Sequence, residues 1–499
     1  MATNEGKRVV VIGAGLGGIS AAISLASKGF AVVVCEKNAH LGGKLNLLET
    51  EGFSFDLGPS IIILPHLFRR LWERAGRRME DHVEFEELQP QWRCFYEDGV
   101  TLDLHSDMRL MEAELRKLGP AATGYWSFME HSRTMWEFAE RHFLENGADT
   151  VREIVRDAKL LEVPRKIDLF ATMHEGVVRH VREPHLVDML DFFIKYVGSS
   201  AYDAPGLMNL LQYSQLGFGL WYVRGGMYAL ARGLGRLLAD LGVEVRLGAE
   251  VTRILEEGGR AVGVRLLDGR EVRADFVVSN MEVIPAYERL LDVDAKRLRR
   301  LRHLCEPAAS GLVVHLGVKK RYPQLQHHNF FFSRDVKGHL DTIHRDKRLP
   351  EDPTIYLVCP TRTDGHLAPA DHEIIKILPH IPAIQDVPFT PDEYAALEQR
   401  VYEKLERMGL EGLRANTVVK HVLVPEDLQR MYYSNRGAIY GVVAERNRNF
   451  SMKAPKQSTL YRNLYFVGGS VNPGGGTPMV VLCGQQVAER IAQQVAAEG

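Results

Sequence analysis

The glycines at positions 13, 15, 17 and 18 have a spacing that does chemistry. Gly13-Ala-Gly15-Leu-Gly17-Gly18 follows the apolar run Arg8–Ile12 and opens a stretch of small residues, Gly18–Lys28. In this G-x-G-x-x-G pattern Gly13 permits a tight turn, Gly15 lets backbone approach a pyrophosphate, and Gly18 lets helix and strand pack closely. The N–H groups at the helix start offer partial positive charge to phosphates. Glu36 ends the next apolar run, 23 residues after Gly13, where a carboxylate accepts from a ribose hydroxyl.

The continuation distinguishes FAD from NAD. His40-Leu-Gly42-Gly43-Lys44 is a second glycine turn carrying a basic residue, suited to the far side of an extended FAD. Phe53-Ser-Phe55-Asp56-Leu-Gly58-Pro59-Ser60 is a loop able to run beneath a flavin ring. Near the end of the chain, Gly468-Gly469-Ser470-Val-Asn472-Pro473-Gly474-Gly475-Gly476-Thr477-Pro478 reads as a glycine turn and a helix start. Pro478 suits the first helical turn, where its missing N–H costs nothing. No second G-x-G-x-x-G is found, so no separate nicotinamide domain is expected. Dioxygen or a lipid-soluble acceptor is expected to take the electrons.

Other chemistry has less support. The 19 histidines form no H-E-x-x-H or similar ligand spacing, so no metal site is expected. His327-His328 reads as one ring on each face of a strand. Phe68–Arg78 holds five arginines and two aromatics, a composition that suits anionic lipid headgroups. The favoured alternative is a solvated helix whose arginines complement its C-terminal dipole.

The elements that position these residues follow from periodicity. Arg8–Ile12, Gly18–Lys28 and Ala31–Cys35 make a β-α-β unit of the doubly wound kind. Segments from Val83 to Leu104 alternate like strands, turning at Asp98-Gly99. Helical periodicity dominates from Asp107 to about Val197. A helix (Met227–Leu241) then leads into strands at Val243–Leu247, Val262–Leu267 and Phe276–Ser279, with Asp268-Gly269 as a hairpin turn. A β-rich stretch, Gly311–Pro382, precedes a helix over Pro391–Met408. The chain closes with a strand, Leu464–Val467, and a helix reaching about Ala496.

Bulk properties narrow the classes. A chain of 499 residues, 45% hydrophobic and 25% charged, is an ordinary globular protein with two or three domains. A formal net charge of -2 gives no electrostatic reason to bind nucleic acid. Five cysteines without C-x-x-C suggest reduced thiols and a cytoplasmic setting. Strand-like residues begin by Arg8, so no signal peptide is expected. Ala204–Val223 and Leu464–Ala488 are long and uncharged, but prolines and glycines interrupt both, so neither is expected to span a membrane.

These motifs together resemble the flavin amine-oxidase-type fold, and specifically the bacterial phytoene-desaturase family of carotenoid oxidoreductases, over nearly the whole chain. Within that family the chain is most similar to the oxygenases that oxidise a terminal methyl of 4,4'-diaponeurosporene or 4,4'-diapolycopene. The residues carrying the narrower resemblance are Phe55–Ser60, Ile194-Lys-Tyr-Val-Gly-Ser-Ser200, Ser279-Asn-Met-Glu-Val-Ile-Pro285, His327–Phe332, Ser434–Gly441 and Gly468–Gly476. Val471-Asn472 stands where many desaturases have Thr-His, and Lys44 where many have Arg. The first departure agrees with the oxygenases.

The resemblance implies an α/β protein: a Rossmann-like FAD domain from residues 1–72, 220–288 and 454–499, an interleaved β-rich substrate domain (73–106 and 289–453) and a helical subdomain (107–219). It implies FAD held by Gly13, Gly15, Gly17, Gly18, Glu36, Lys37, Gly43, Lys44, Gly58, Pro59, Ser60, Val251, Gly468, Gly469, Ser470, Pro478 and Met479. The flavin carries the redox step, and no catalytic side chain is assigned. The implied substrate is a long apolar polyene met at a membrane surface, within a tunnel whose candidate walls are Gly217–Tyr222 and Gly437–Tyr440. A desaturase of the same family is the nearest rival. An amine oxidase and a non-enzymatic prenyl-binding protein of the same fold are more distant.

Overall fold

The computed structural model describes residues 6–150, 152–154, 168 and 170–498. Its organising element is a five-stranded parallel sheet. Strands β1 (Arg8–Ile12), β2 (Ala31–Cys35), β3 (Glu244–Arg246), β4 (Phe276–Ser279) and β5 (Leu464–Phe466) stand in the order β5-β4-β1-β2-β3. Val9, Val10 and Val11 are fully buried, as expected for a parallel sheet covered on both faces. Helix α1 (Leu16–Ala26) follows β1 and buries every residue from Leu16 to Leu25. It packs against the terminal helix α2 (Thr477–Glu498), where a Cβ on Gly484 would lie 2.6 Å from the Ala21 backbone nitrogen. Gly484 therefore sets how closely the two helices cross.

A second sheet of eight strands lies beyond the first. Its main path runs Thr417–Leu423, Val313–Val318, Glu373–Ile381, Ile355–Val358, His328–Phe331, Trp92–Phe95 and Thr101–Leu104. All nine residues of Glu373–Ile381 are buried. Helices Met108–Leu118, Tyr125–Ala139 and Pro184–Asp191 form the region between the strands at 101–104 and 221–223. A three-stranded antiparallel sheet, 251–257, 260–266 and 271–273, turns at Gly269.

Several elements depart from the sequence expectation, among them Phe53–Asp56, which is a strand paired with Leu47–Thr50 where a loop is expected. The strand Val251–Glu257 was not anticipated, because two register shifts against its partner break the alternation. The edge strand Thr417–Leu423 is only partly buried, so its pattern is weak. A helix, Val336–His344, capped by Asp335, interrupts the stretch expected to be β-rich.

The segment Phe68–Arg78 is helical over Pro65–Arg74. Phe68 and Trp72 are wholly buried in the core, Arg69 pairs with Glu80, and Arg77 lies 3.9 Å from Asp240. Its aromatic side therefore faces protein, which favours the solvated-helix reading. Among the described residues no helix is long and apolar enough to cross a membrane. All five cysteines are buried and form no disulfide.

Candidate functional site

The site begins where β1 meets α1. Gly13 turns with φ 89° and donates to Cys35 O at 2.8 Å, pinning the turn to β2. A Cβ on Gly18 would fall 2.1 Å from Gly13 O, so only glycine fits there. Gly15 precedes α1 without a side-chain cap, leaving first-turn N–H groups available to an anion. Glu36, 5% exposed, accepts from Ala14 N at 2.7 Å and Asn38 N at 2.8 Å. The carboxylate thus fixes the glycine loop and keeps lone pairs for a ribose. Lys37 is engaged elsewhere: it donates to Arg430 O at 3.1 Å and lies 4.4 Å from the Tyr433 ring centroid. Val251 begins a strand two residues after Ala249, whose N–H bonds Glu36 O at 2.8 Å.

The second glycine turn closes on the first. Gly42 N donates to Ala14 O at 2.8 Å, and a Cβ on Gly43 would lie 2.9 Å from Gly15 Cα. Lys44 donates to Ile439 O (2.9 Å) and Ala438 O (3.1 Å), and it lies 3.6 Å from Glu282. Gly58 abuts it, because a Cβ there would overlap Lys44 O at 1.7 Å. Gly58, Pro59 and Ser60 are half-buried. The loop is held by Lys376, which reaches Asp56 O and Ser60 Oγ, both at 3.2 Å, and also Gly58 O. Burial lowers Lys376 to about 8, against the opposing charge of Asp56.

The C-terminal turn meets the first turn directly. Gly468, Gly474 and Gly476 have positive φ. A Cβ on Gly17 would lie 3.1 Å from Gly468 N. A Cβ on Gly469 would lie 3.4 Å from Gly475 Cα. Ser470 Oγ accepts from Val283 N at 3.0 Å. Pro478 and Met479 lie in the first turn of α2, and Thr477 donates to Ile61 O at 3.2 Å.

Two residues beyond those expected organise the site. Asn280, immediately after β4, lies against Gly13, Gly15, Gly17, Gly18 and Gly468, and donates to Val467 O at 3.1 Å. It stitches both glycine turns together; the only sequence signal was its place in the Ser279–Pro285 segment. Lys376 was legible as a lone lysine in an apolar strand. Asn472 is fully buried and turned away from the cradle, accepting from Lys453 N at 2.9 Å and donating to Asp149 O at 3.2 Å.

Of the candidate tunnel walls, Tyr440 bonds His380 Nε2 at 2.9 Å, while Trp221 and Tyr222 lie in a strand paired with 85–87. His327 bonds Thr363 at 2.7 Å and His328 bonds Tyr356 at 2.9 Å. Burial lowers His327 to about 3, so it is neutral. Asp103, His105 and Glu114 cluster as metal ligands would, but Asp103 pairs with Arg93 and Glu114 with Lys117. Two of the three groups are thus already engaged in ion pairs.

The cradle fits a dinucleotide: three glycine turns come together with the short Asn280 carboxamide bridging the first and last, and a buried carboxylate stands just beyond the end of β2. Comparison with known proteins agrees. The profile of the flavin containing amine oxidoreductase family matches residues 16–492. The chain is 50% identical to the 4,4'-diapolycopene oxygenase of a Methylomonas species, covering 98% of this chain and 99% of that one. It is 47% identical to the 4,4'-diaponeurosporene oxygenase of Staphylococcus haemolyticus, covering 97% of each. Among solved structures, an oxidoreductase from Methanosarcina mazei superposes with TM-score 0.64 at 17% identity, covering 97% of this chain and 100% of that one. Putrescine oxidase bound to putrescine gives TM-score 0.64 at 16% identity, covering 98% and 99%.

Proposed function

We propose a substrate and a reaction for this chain, which belongs to the flavin containing amine oxidoreductase family: it uses FAD to oxidise the terminal methyl of an acyclic 4,4'-diapocarotenoid to an aldehyde, in carotenoid biosynthesis. The observation that carries this reading is near full-length identity of 50% and 47% to oxygenases of that class.

Bound FAD would supply oxidation at an allylic carbon, where conjugation spreads developing charge. The chain's own residues bind, position and exclude water. Glu36 would accept from the adenosine ribose, and the first-turn N–H groups of α1 would meet the pyrophosphate. Gly43 and Lys44 would close over it. Gly58–Ser60, fixed by Lys376, and Gly468–Ser470 with Pro478 and Met479 would hold the flavin end. This reading assigns residues 1–72, 220–288 and 454–499 to the FAD unit, supported by the single parallel sheet that draws strands from all three segments. It assigns 73–106 and 289–453 to the substrate sheet and 107–219 to a helical, membrane-proximal unit. The polyene partitions into lipid, so the protein is expected at a membrane surface. Met108 and Phe170, 67% and 79% exposed on the helical unit, suit that contact.

The test is incubation of purified, FAD-loaded protein with 4,4'-diaponeurosporene in liposomes, with products identified by mass. The reading requires gain of oxygen and a carbonyl band. Return of the substrate unoxygenated, while 4,4'-diapophytoene loses hydrogen pairs, would make the protein a desaturase.

A further inference from the structure

A lysine buried in an apolar interior is costly unless something pairs with it. Lys195 is 5% exposed, yet its amine meets only aromatic rings and no hydrogen-bond acceptor or carboxylate among the described residues. It lies in the single turn Phe192–Val197, and its Nζ stands 3.9 Å from the Tyr196 ring centroid, 4.5 Å from Trp92, and 5.0 Å from Phe330 and Tyr356. Trp92, Phe330 and Tyr356 come from three adjacent strands of the large sheet, with Phe330 directly opposite Tyr356. Two further buried polar atoms nearby also lack partners, His328 Nε2 and His380 Nδ1. Burial holds both imidazoles below their usual range, with Lys195 a smaller contributor.

The box stands one side chain from the flavin turn. Gly198 is pressed against the Tyr440 ring, where a Cβ would lie 2.6 Å from Cδ2. The Tyr440 carbonyl in turn faces Gly475, where a Cβ would lie 2.4 Å from it. Tyr440 also bonds His380. Surroundings built only for hydrocarbon have no use for an amine without a hydrogen-bond acceptor. Oxidising a methyl to an aldehyde takes one oxygen atom from dioxygen or water, gives up electrons through the flavin to an acceptor, and passes through the terminal alcohol, so from the first oxidation onward the chain end bears an oxygen that can accept from that amine.

We propose that Lys195, within its aromatic box, is the recognition site for an oxygen-bearing polyene end, retaining the terminal alcohol for its second oxidation. An amine donates an N–H to a hydroxyl or carbonyl oxygen whether or not it carries a proton, so recognition does not depend on its charge. The surrounding rings pack against the terminal conjugated carbons and leave the nitrogen as the donor.

This inference rests on the proposed reaction, and the test separates the two. Binding of a diapocarotenoid hydrocarbon, its terminal alcohol and its terminal aldehyde is measured by flavin-fluorescence quenching on the FAD-loaded protein. The wild type is expected to bind the alcohol and aldehyde about tenfold tighter than the hydrocarbon, with the bound aldehyde's absorption shifted to the red. Lys195→Met, similar in length and apolar, should lose both the preference and the shift while holding the hydrocarbon at least as well. Equal binding of all three ligands by the wild type overturns the proposal without any variant. So does an unchanged preference in a flavin-loaded Lys195→Met. If the preference is present but no oxygenated product forms from hydrocarbon, the reaction assigned above fails and this site stands.

Discussion

Replacing Glu36 with alanine tests how the cofactor cradle is built. Glu36 holds two backbone donors at once, Ala14 N at 2.7 Å and Asn38 N at 2.8 Å. Ala14 is fully buried and Asn38 half-buried. Losing the bond to the buried donor costs about 1.5–3 kcal/mol and losing the other about 0.5–1.5, so the apoprotein itself should be weakened by about 2–4.5 kcal/mol. The sequence alone suggests that Glu36→Ala affects only FAD retention; the structure adds that it also loosens the glycine loop. FAD should bind roughly 10- to 150-fold more weakly, from the lost ribose bond alone. Glu36→Gln keeps one acceptor oxygen and turns an NH2 toward the other N–H, so its stability should fall between wild type and alanine. Thermal unfolding of the apo form and a fluorescence titration with FAD read the two effects separately. Wild-type melting and wild-type FAD affinity in Glu36→Ala would refute the account; lost affinity with unchanged melting would refute only the loop-fixing part.

Gly18→Ala places a Cβ 2.1 Å from Gly13 O, so backbone must move and about 1–3 kcal/mol or more is lost. Purified variant should lack bound flavin, while Gly365→Ala, with open space around it, should match wild type by absorbance at the flavin band. Lys376 is lowered from 10.5 to about 8 by burial, so between these values the unfolded chain holds a proton that the folded one has released. Stability therefore rises with pH across that window, by about 3 kcal/mol in full. Lys376→Met should lack this rise, so the wild type's melting advantage should grow from pH 7 to pH 10; parallel profiles would refute it. Val471→Thr with Asn472→His should cost about 1–3 kcal/mol and leave oxygenated products unchanged, because Asn472 serves Lys453 and Asp149 behind the turn. Desaturated products from a variant with wild-type melting would refute this.

The parts of the fold that were legible in sequence are those where one local rule suffices. β1 and β2 are continuous valine runs bounded by charge or glycine, and their observed ends coincide with the reading. So do the ends of Phe276–Ser279. Helix α1 starts at Leu16, not Gly18, because Gly17 and Gly18 are packed inside the first turn, against Asn280 and Gly13. Strand Val251–Glu257 escaped because its bulges put Arg253, Glu256 and Glu257 where a regular strand would alternate. The glycine turns were readable because each is contiguous. Their mutual contact was not, since Gly17 and Gly468 are brought together by β1, β4 and β5 pairing in register.

Asn280 and Lys195 show why sites built across segments escape a linear reading. Asn280 acts because β4 lies between β1 and β5, so the residue ending it must fall between the turns that end its two neighbours. Any side chain there meets five glycines. A short carboxamide fills that gap and donates to Val467 O, whereas a longer chain would part the turns. Lys195 acts because Trp92, Phe330 and Tyr356, widely separated in sequence, stand on adjacent strands facing one turn. Its neighbours in sequence, Phe192–Val197, are otherwise apolar or aromatic, so the segment reads as core and the lysine as an exception within it. A buried lysine whose amine meets aromatic faces but no hydrogen-bond acceptor among the described residues is best explained by a ligand that supplies one, and the oxygen that this reaction adds is such an acceptor.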